Sequence, residues 1–161
     1  MSTDVRSPAA LAEDFAARFA AIAATRMHGL PVMNPQLAVE ALGFAERRDA
    51  RDGSPGVLGL LIAPWFMNVL WLPRDGAAPL AAGALRERRF GERSLSFVGA
   101  HDECLGAYES CSLFSPMFDF PDQASARATA EQVLALLAEA PPPAPALGRR
   151  ALLFGRLRSA S

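Results

Sequence analysis

Hydrophobic positions follow three different rhythms along this chain. Leu11, Phe15, Phe19 and Ile22 recur at spacings of four, four and three after Ser7-Pro8. That spacing puts them on one stripe and predicts a helix, which Gly29 and Pro31 bring to an end. Leu37, Val39 and Ala41 then alternate toward Phe44, the period of a strand. A polar turn from Arg47 to Gly56 follows. From Val57 to Leu72 the apolar residues run without a charge and include both tryptophans, Trp65 and Trp71. Pro64 lies inside that run, and proline removes a donor and clashes in a helix interior. The run therefore predicts a strand over Val57–Ile62, a corner at Ala63-Pro64-Trp65 and a strand over Met67–Leu72, closed by Pro73 to Gly76. Leu80 to Phe90 predicts a short arginine-rich helix. Ser94–Val98 and Tyr108–Phe114 predict two more strands, joined through the turn HDECLG. Asp122 predicts an N-cap for a helix carrying Ala126, Ala130, Val133, Leu134 and Leu137 at helical spacing. The expected fold is α+β: one domain with a mostly antiparallel sheet, packed by an N-terminal and a C-terminal helix.

The expected domain spans residues 1–140. Residues 141–161 divide into the stiff spacer PPPAPA and a tail, GRRALLFGRLRSAS, that is basic and apolar together. Two readings of the tail stand side by side: Leu152–Phe154 dock as an edge strand on the parent domain, or the tail is an arm that holds a partner.

The apolar run raises the question of a membrane. A spanning helix needs about 20 uninterrupted apolar residues, and Pro64 and Asn68 break this shorter stretch. The N-terminus carries acids and lacks the basic flank and apolar core of a secretory signal, so the expected location is the cytoplasm, with Cys104 and Cys111 as reduced thiols. Net charge is −1, which leaves no footprint for nucleic acid or an anionic membrane. At 161 residues and 51% hydrophobic composition, the chain can fill a full core.

Motifs for catalysis are missing. All 16 basic residues are arginine, so a phosphate-binding loop with its lysine cannot be built. No G-x-S-x-G elbow occurs, and His28 and His101 are the only histidines. No cofactor is expected. His101-x-x-Cys104, with Cys111 and His28, offers a metal set, yet structural zinc usually announces itself by paired close spacings. A deep polar pocket, as an enzyme or ligand sensor demands, has few candidate residues here. Asp102, Glu103 and Glu109 read either as a solvated turn or as an arginine-accepting surface. Arg86, Arg88, Arg89 and Arg93 read as a soluble exposed face. Pro64, Trp65 and Phe66 either plug one end of the core or act as contact anchors, with Met67 and Met117 as adaptable lining.

Three segments together resemble one family: the apolar hairpin with Pro64-Trp65, the strand Tyr108-x-x-Cys111-Ser112-Leu113-x-Ser115-Pro116, and the tail Gly148-Arg149-Arg150-Ala151-Leu152-Leu153-Phe154-Gly155-Arg156. They are similar to the HybE family of nickel–iron hydrogenase assembly chaperones, over nearly the whole chain. Some members carry an added rubredoxin domain, whose paired C-x-x-C motifs this chain lacks. The resemblance implies a non-catalytic protein that binds precursor subunits of a membrane-bound uptake hydrogenase, the small subunit with its twin-arginine signal, the large subunit, or both, until assembly is complete. Contact residues are then expected at Pro64, Trp65, Phe66, Asp102, Glu103, Tyr108, Cys111, Arg149, Arg150, Leu152, Phe154 and Arg156. The competing expectation is a metal-binding accessory protein that delivers nickel or iron through Cys104, Cys111 and His101.

Overall fold

The computed structural model describes residues 6–74 and 79–138. Helix α1 covers Pro8–Ala24, with the Ser7 hydroxyl accepting the Ala10 N–H as N-cap. Six strands follow: β1 (Glu40–Arg48), β2 (Pro55–Ala63), β3 (Phe66–Pro73), β4 (Leu85–Phe90), β5 (Arg93–Asp102) and β6 (Gly106–Phe114). Helix α2 covers Gln123–Leu136 and is capped by Asp122 as expected, its carboxylate accepting the Ser125 N–H at 2.8 Å. The strands form a single antiparallel sheet in the order β1-β2-β3-β6-β5-β4.

The two helices lie on opposite faces of this sheet, which explains the unbroken apolar run. In β2, Val57 and Leu61 face α1 beside Phe15, Phe19 and Ile22. Leu60 and Ile62 face α2 beside Ala126 and Ala130. Alternate side chains point to opposite faces, so a strand covered on both sides has no polar position to fill. Each large side chain buried this way stabilises the fold by about 1.5–3 kcal/mol. Phe15 also meets Phe44 and Tyr108, at ring-centroid distances of 6.2 and 5.1 Å.

Two expectations change. Leu80–Phe90 is not a helix: Leu85–Phe90 is edge strand β4, with Arg88 and Phe90 turned inward and Leu85, Glu87 and Arg89 outward. The first strand starts later than the Leu37–Phe44 alternation suggests, at Glu40, and Leu37 is buried in the preceding loop. A bulge between Leu42 and Ala45 bends it, and Gly43 supplies the positive φ of 67° there.

The sheet curls until its ends meet. The Ala50 N–H donates to the Arg89 carbonyl at 2.8 Å, and the Arg89 N–H donates to Asp49 Oδ1 at 2.9 Å. The β1–β2 turn thus reaches the outer edge of β4. Arg88 completes the closure from inside. It gives Nε and Nη2 to Glu109 of β6 at 2.6 and 2.9 Å, gives Nη1 to Asp49 at 3.0 Å, and lies over the Trp71 ring at 5.3 Å. Burial opposes its charge, but the two carboxylates outweigh it and push the guanidinium pKa up.

Candidate functional site

One end of the sheet gathers aromatic side chains on tied loops. The β2–β3 turn brings Pro64, Trp65 and Phe66 there. Pro64 is buried; Trp65 and Phe66 are half-buried and edge-on to each other at 5.3 Å. Both rest on Phe19 of α1, at 6.4 and 5.6 Å. The end of β6 supplies Phe114 and the loop after it Phe118, with 38% and 53% exposure, and the loop after α1 supplies Leu30 with 42%. The Ser115–Pro116 bond in that loop is cis.

Asn34 holds these loops together. Its backbone N–H donates to the Pro64 carbonyl at 3.0 Å. Its side-chain amide donates to the carbonyls of Met117 and Phe120, both at 3.0 Å, and its Oδ1 accepts the Gln36 N–H at 2.9 Å. A buried amide with its groups satisfied pins backbone that has no sheet ladder of its own. The Ser115 hydroxyl adds a bond to the Trp65 carbonyl at 3.4 Å. Phe114 stands edge-on to Phe120 at 5.2 Å. Exposed Phe114 and Phe118 thus project from fixed backbone.

The acidic group expected around the last sheet turn does not come together as one surface. Glu109 is buried and bound to Arg88, so Arg88 in turn leaves the soluble arginine face. Asp102 accepts the Arg18 Nε at 2.9 and 3.1 Å and the N–H groups of Cys104 and Leu105 at 2.8 and 3.1 Å. Burial opposes its charge, but those amides and Arg18 outweigh it and hold the carboxyl below its usual range. Only Glu103 of the three is exposed. Tyr108 is half-buried against Phe15, where burial and then the Asp102 charge push its hydroxyl pKa up.

The metal set does not assemble either. Cys104 is exposed at the β5–β6 turn, and Cys111 is half-buried in the cluster of Trp71, Phe90 and Phe97. Burial pushes the Cys111 thiol pKa up, against a backbone hydrogen bond from Ser96 that lowers it. Among the described residues, no group of three or more His, Cys, Asp or Glu side chains could hold a metal ion. Arg149, Arg150, Leu152, Phe154 and Arg156 lie outside the described residues.

Sequence reasoning missed Asn34, Phe114 and Phe118. The available signal was three phenylalanines within Phe114–Phe120, in a stretch broken by Pro116 and closed by Pro121. So dense an aromatic loop cannot bury every ring.

Comparison with known proteins gives a consistent picture. Residues 10–155 match the family model "[NiFe]-hydrogenase assembly, chaperone, HybE". The chain is 50% identical to Protein HoxT of Cupriavidus necator, over 87% of this chain and 86% of that protein. It is also 50% identical to the hydrogenase expression/formation protein HupT of Azotobacter chroococcum, over 85% and 90%. The solution structure of HybE from Escherichia coli shares the fold, with a TM-score of 0.63 at 21% identity, covering 88% of this chain and 83% of that one. Among the described residues, no helix is long and apolar enough to cross a membrane.

Proposed function

Since the chain belongs to the HybE family of nickel–iron hydrogenase assembly chaperones, we propose that it binds precursor subunits of a membrane-bound uptake hydrogenase and holds them until assembly is complete. The observation that carries this reading is the aromatic end of the sheet. Phe114, at the end of β6, and Phe118, on the loop that Asn34 fixes, are exposed there beside half-buried Trp65 and Phe66. Rigid aromatic side chains give large contact area at low entropy cost, and an unfinished subunit offers apolar surface that must be kept from aggregating. Asp102 is a poorer candidate for capturing a twin-arginine signal, because Arg18 and two amides already fill its acceptor sites. The client contact therefore sits at the aromatic end, with Glu103 as an exposed carboxylate of the other end.

Affinity purification from cells making hydrogenase precursors tests this. The tagged chain should recover the unprocessed small or large subunit, and Phe114→Ser with Phe118→Ser should reduce that recovery several-fold. Recovery of neither subunit sinks the client assignment, and undiminished recovery by the double variant sinks the aromatic contact.

A further inference from the structure

The described chain ends at Ala138, and its place in the fold matters. Leu137 is buried in the cluster with Trp71 and Phe90, and its carbonyl accepts Arg47 Nη2 at 2.7 Å. The Ala138 carbonyl lies 2.6 Å from where a Cβ on Gly91 would stand. The chain therefore leaves beside the β4–β5 turn, at the Phe90 end of β4. The family match continues to residue 155, well past Ala138.

The two sheet edges differ. Just before β1, the Gln123 side chain accepts the Ala38 N–H at 2.8 Å and donates to the Ala38 carbonyl at 3.2 Å, as a partner strand would. Arg127 pairs with Glu40 at 2.9 Å, and Gly43 lies against Leu134. Helix α2 and its cap thus lie against the start of that edge. At β4, the Asp49–Ala50 turn takes up only Arg89. Antiparallel ladders alternate, so if Arg89 points its N–H and C=O outward, Glu87 and Leu85 do too. Among the described residues, no hydrogen bond meets those backbone groups.

The side chains along this edge show the same gap. Leu85 is 71% exposed and stands opposite Val98, itself 39% exposed. Helix α1 packs chiefly on β1 and β2, and reaches β5 only at its Asp102 end among the described residues. Glu87 accepts the Ser96 hydroxyl at 3.2 Å and has a long, exposed ion pair with Arg51 at 3.7 Å.

The geometry points to residues 150–156 of this same chain as the occupant, added beside Leu85–Glu87 as a further strand. In extended chain Arg150, Leu152, Phe154 and Arg156 fall on one side, an apolar pair flanked by arginines. Laid along β4, Leu152 and Phe154 cover Leu85 and Val98, and one of the arginines meets Glu87. Reach is sufficient. Residues 139–149, rich in proline, span up to about 34 Å at roughly 3.1 Å per residue, and β4 from Phe90 to Leu85 is about 17 Å long. This inference goes beyond the client-binding reading and is tested without a client.

Amide hydrogen exchange of the isolated full chain decides it. The Leu85 and Glu87 amides should be protected, and Leu152→Asp with Phe154→Asp should speed their exchange about tenfold, leaving β2 and β3 unchanged. Equal exchange in the two chains, fast or slow, overturns the proposal. Protection that rises with protein concentration also overturns it, because the cover is then a second copy. Leu85→Asp provides the reciprocal arm: being exposed, it spares the fold, and it should speed amide exchange in residues 151–154. Unchanged exchange there counts against the seat equally.

Discussion

Arg88 is 3% exposed between two carboxylates that are each 1% exposed. Taking one partner from such a group leaves buried charge uncompensated, which costs about 3–5 kcal/mol. Arg88→Met should therefore lower the unfolding free energy by that amount in urea titration, since Glu109 and Asp49 lose their cation together. The neighbouring Arg89→Met, whose side chain points outward, should change it by less than about 1 kcal/mol. Asp102 makes a second residue-scale prediction, on pH. Its pKa is depressed, so between the folded value and the ordinary carboxylate value near 3.9 the unfolded chain binds more protons. The stability it contributes is complete above about pH 4 and is lost as pH falls through the folded pKa. Urea midpoints of wild type and Asp102→Asn should therefore differ by a constant amount from about pH 5 to 7 and converge below about pH 4. A difference independent of pH would assign the effect to packing alone. The sequence picked out Asp102 as a contact residue, without the intramolecular partner Arg18 that takes up its carboxylate, and placed Arg88 on a soluble face. Arg86, Arg88, Arg89 and Arg93 look alike until the pleat decides which one points inward, and Glu109 becomes a core residue only because Arg88 reaches it from a strand far along the chain.

At the scale of elements, the strongest periodic signals were legible. The Phe15–Phe19–Ile22 stripe and the Asp122 cap needed only local spacing. Pro64 correctly divided the apolar run into a hairpin. Strand β4 was misread because Leu, Arg and Glu are good helix formers, and tertiary pairing with β5 overrode that preference. The covering of both sheet faces was not legible from any one segment, although the absence of polar positions in β2 is its consequence. Gly59 tests how tightly that covering is made. A Cβ there would collide with the Phe44 ring, which also meets Phe15 of α1. Gly59→Ala should destabilise by about 1–3 kcal/mol through this overpacking. Calorimetry should show a clear fall in Tm with the transition still cooperative. Phe44→Leu combined with Gly59→Ala should recover part of the loss, because a smaller side chain vacates the space.

Across the described residues, the curled sheet hides its Arg88 network inside and leaves exposed Phe114 and Phe118 at one end. The same hairpin turn serves both packing and surface, and the two roles separate residue by residue. Trp65 and Phe66 rest on Phe19, so they belong partly to the core beneath α1. Phe118 has 53% of its surface in solvent, and no ring of the core stacks on it among the described residues. A structural role and a client role thus predict different outcomes for these two positions. Trp65→Ala should lower both Tm and client recovery, with a stability loss of about 2–4 kcal/mol for a large aromatic removed from a half-packed site. Phe118→Ser should leave Tm within about 2 °C of wild type, as surface substitutions do, and still reduce recovery of the unprocessed subunit. If instead recovery follows Tm across Trp65→Ala, Phe66→Ala, Phe114→Ser and Phe118→Ser, the aromatic end is only the plug of the core. The client must then be held elsewhere on the molecule.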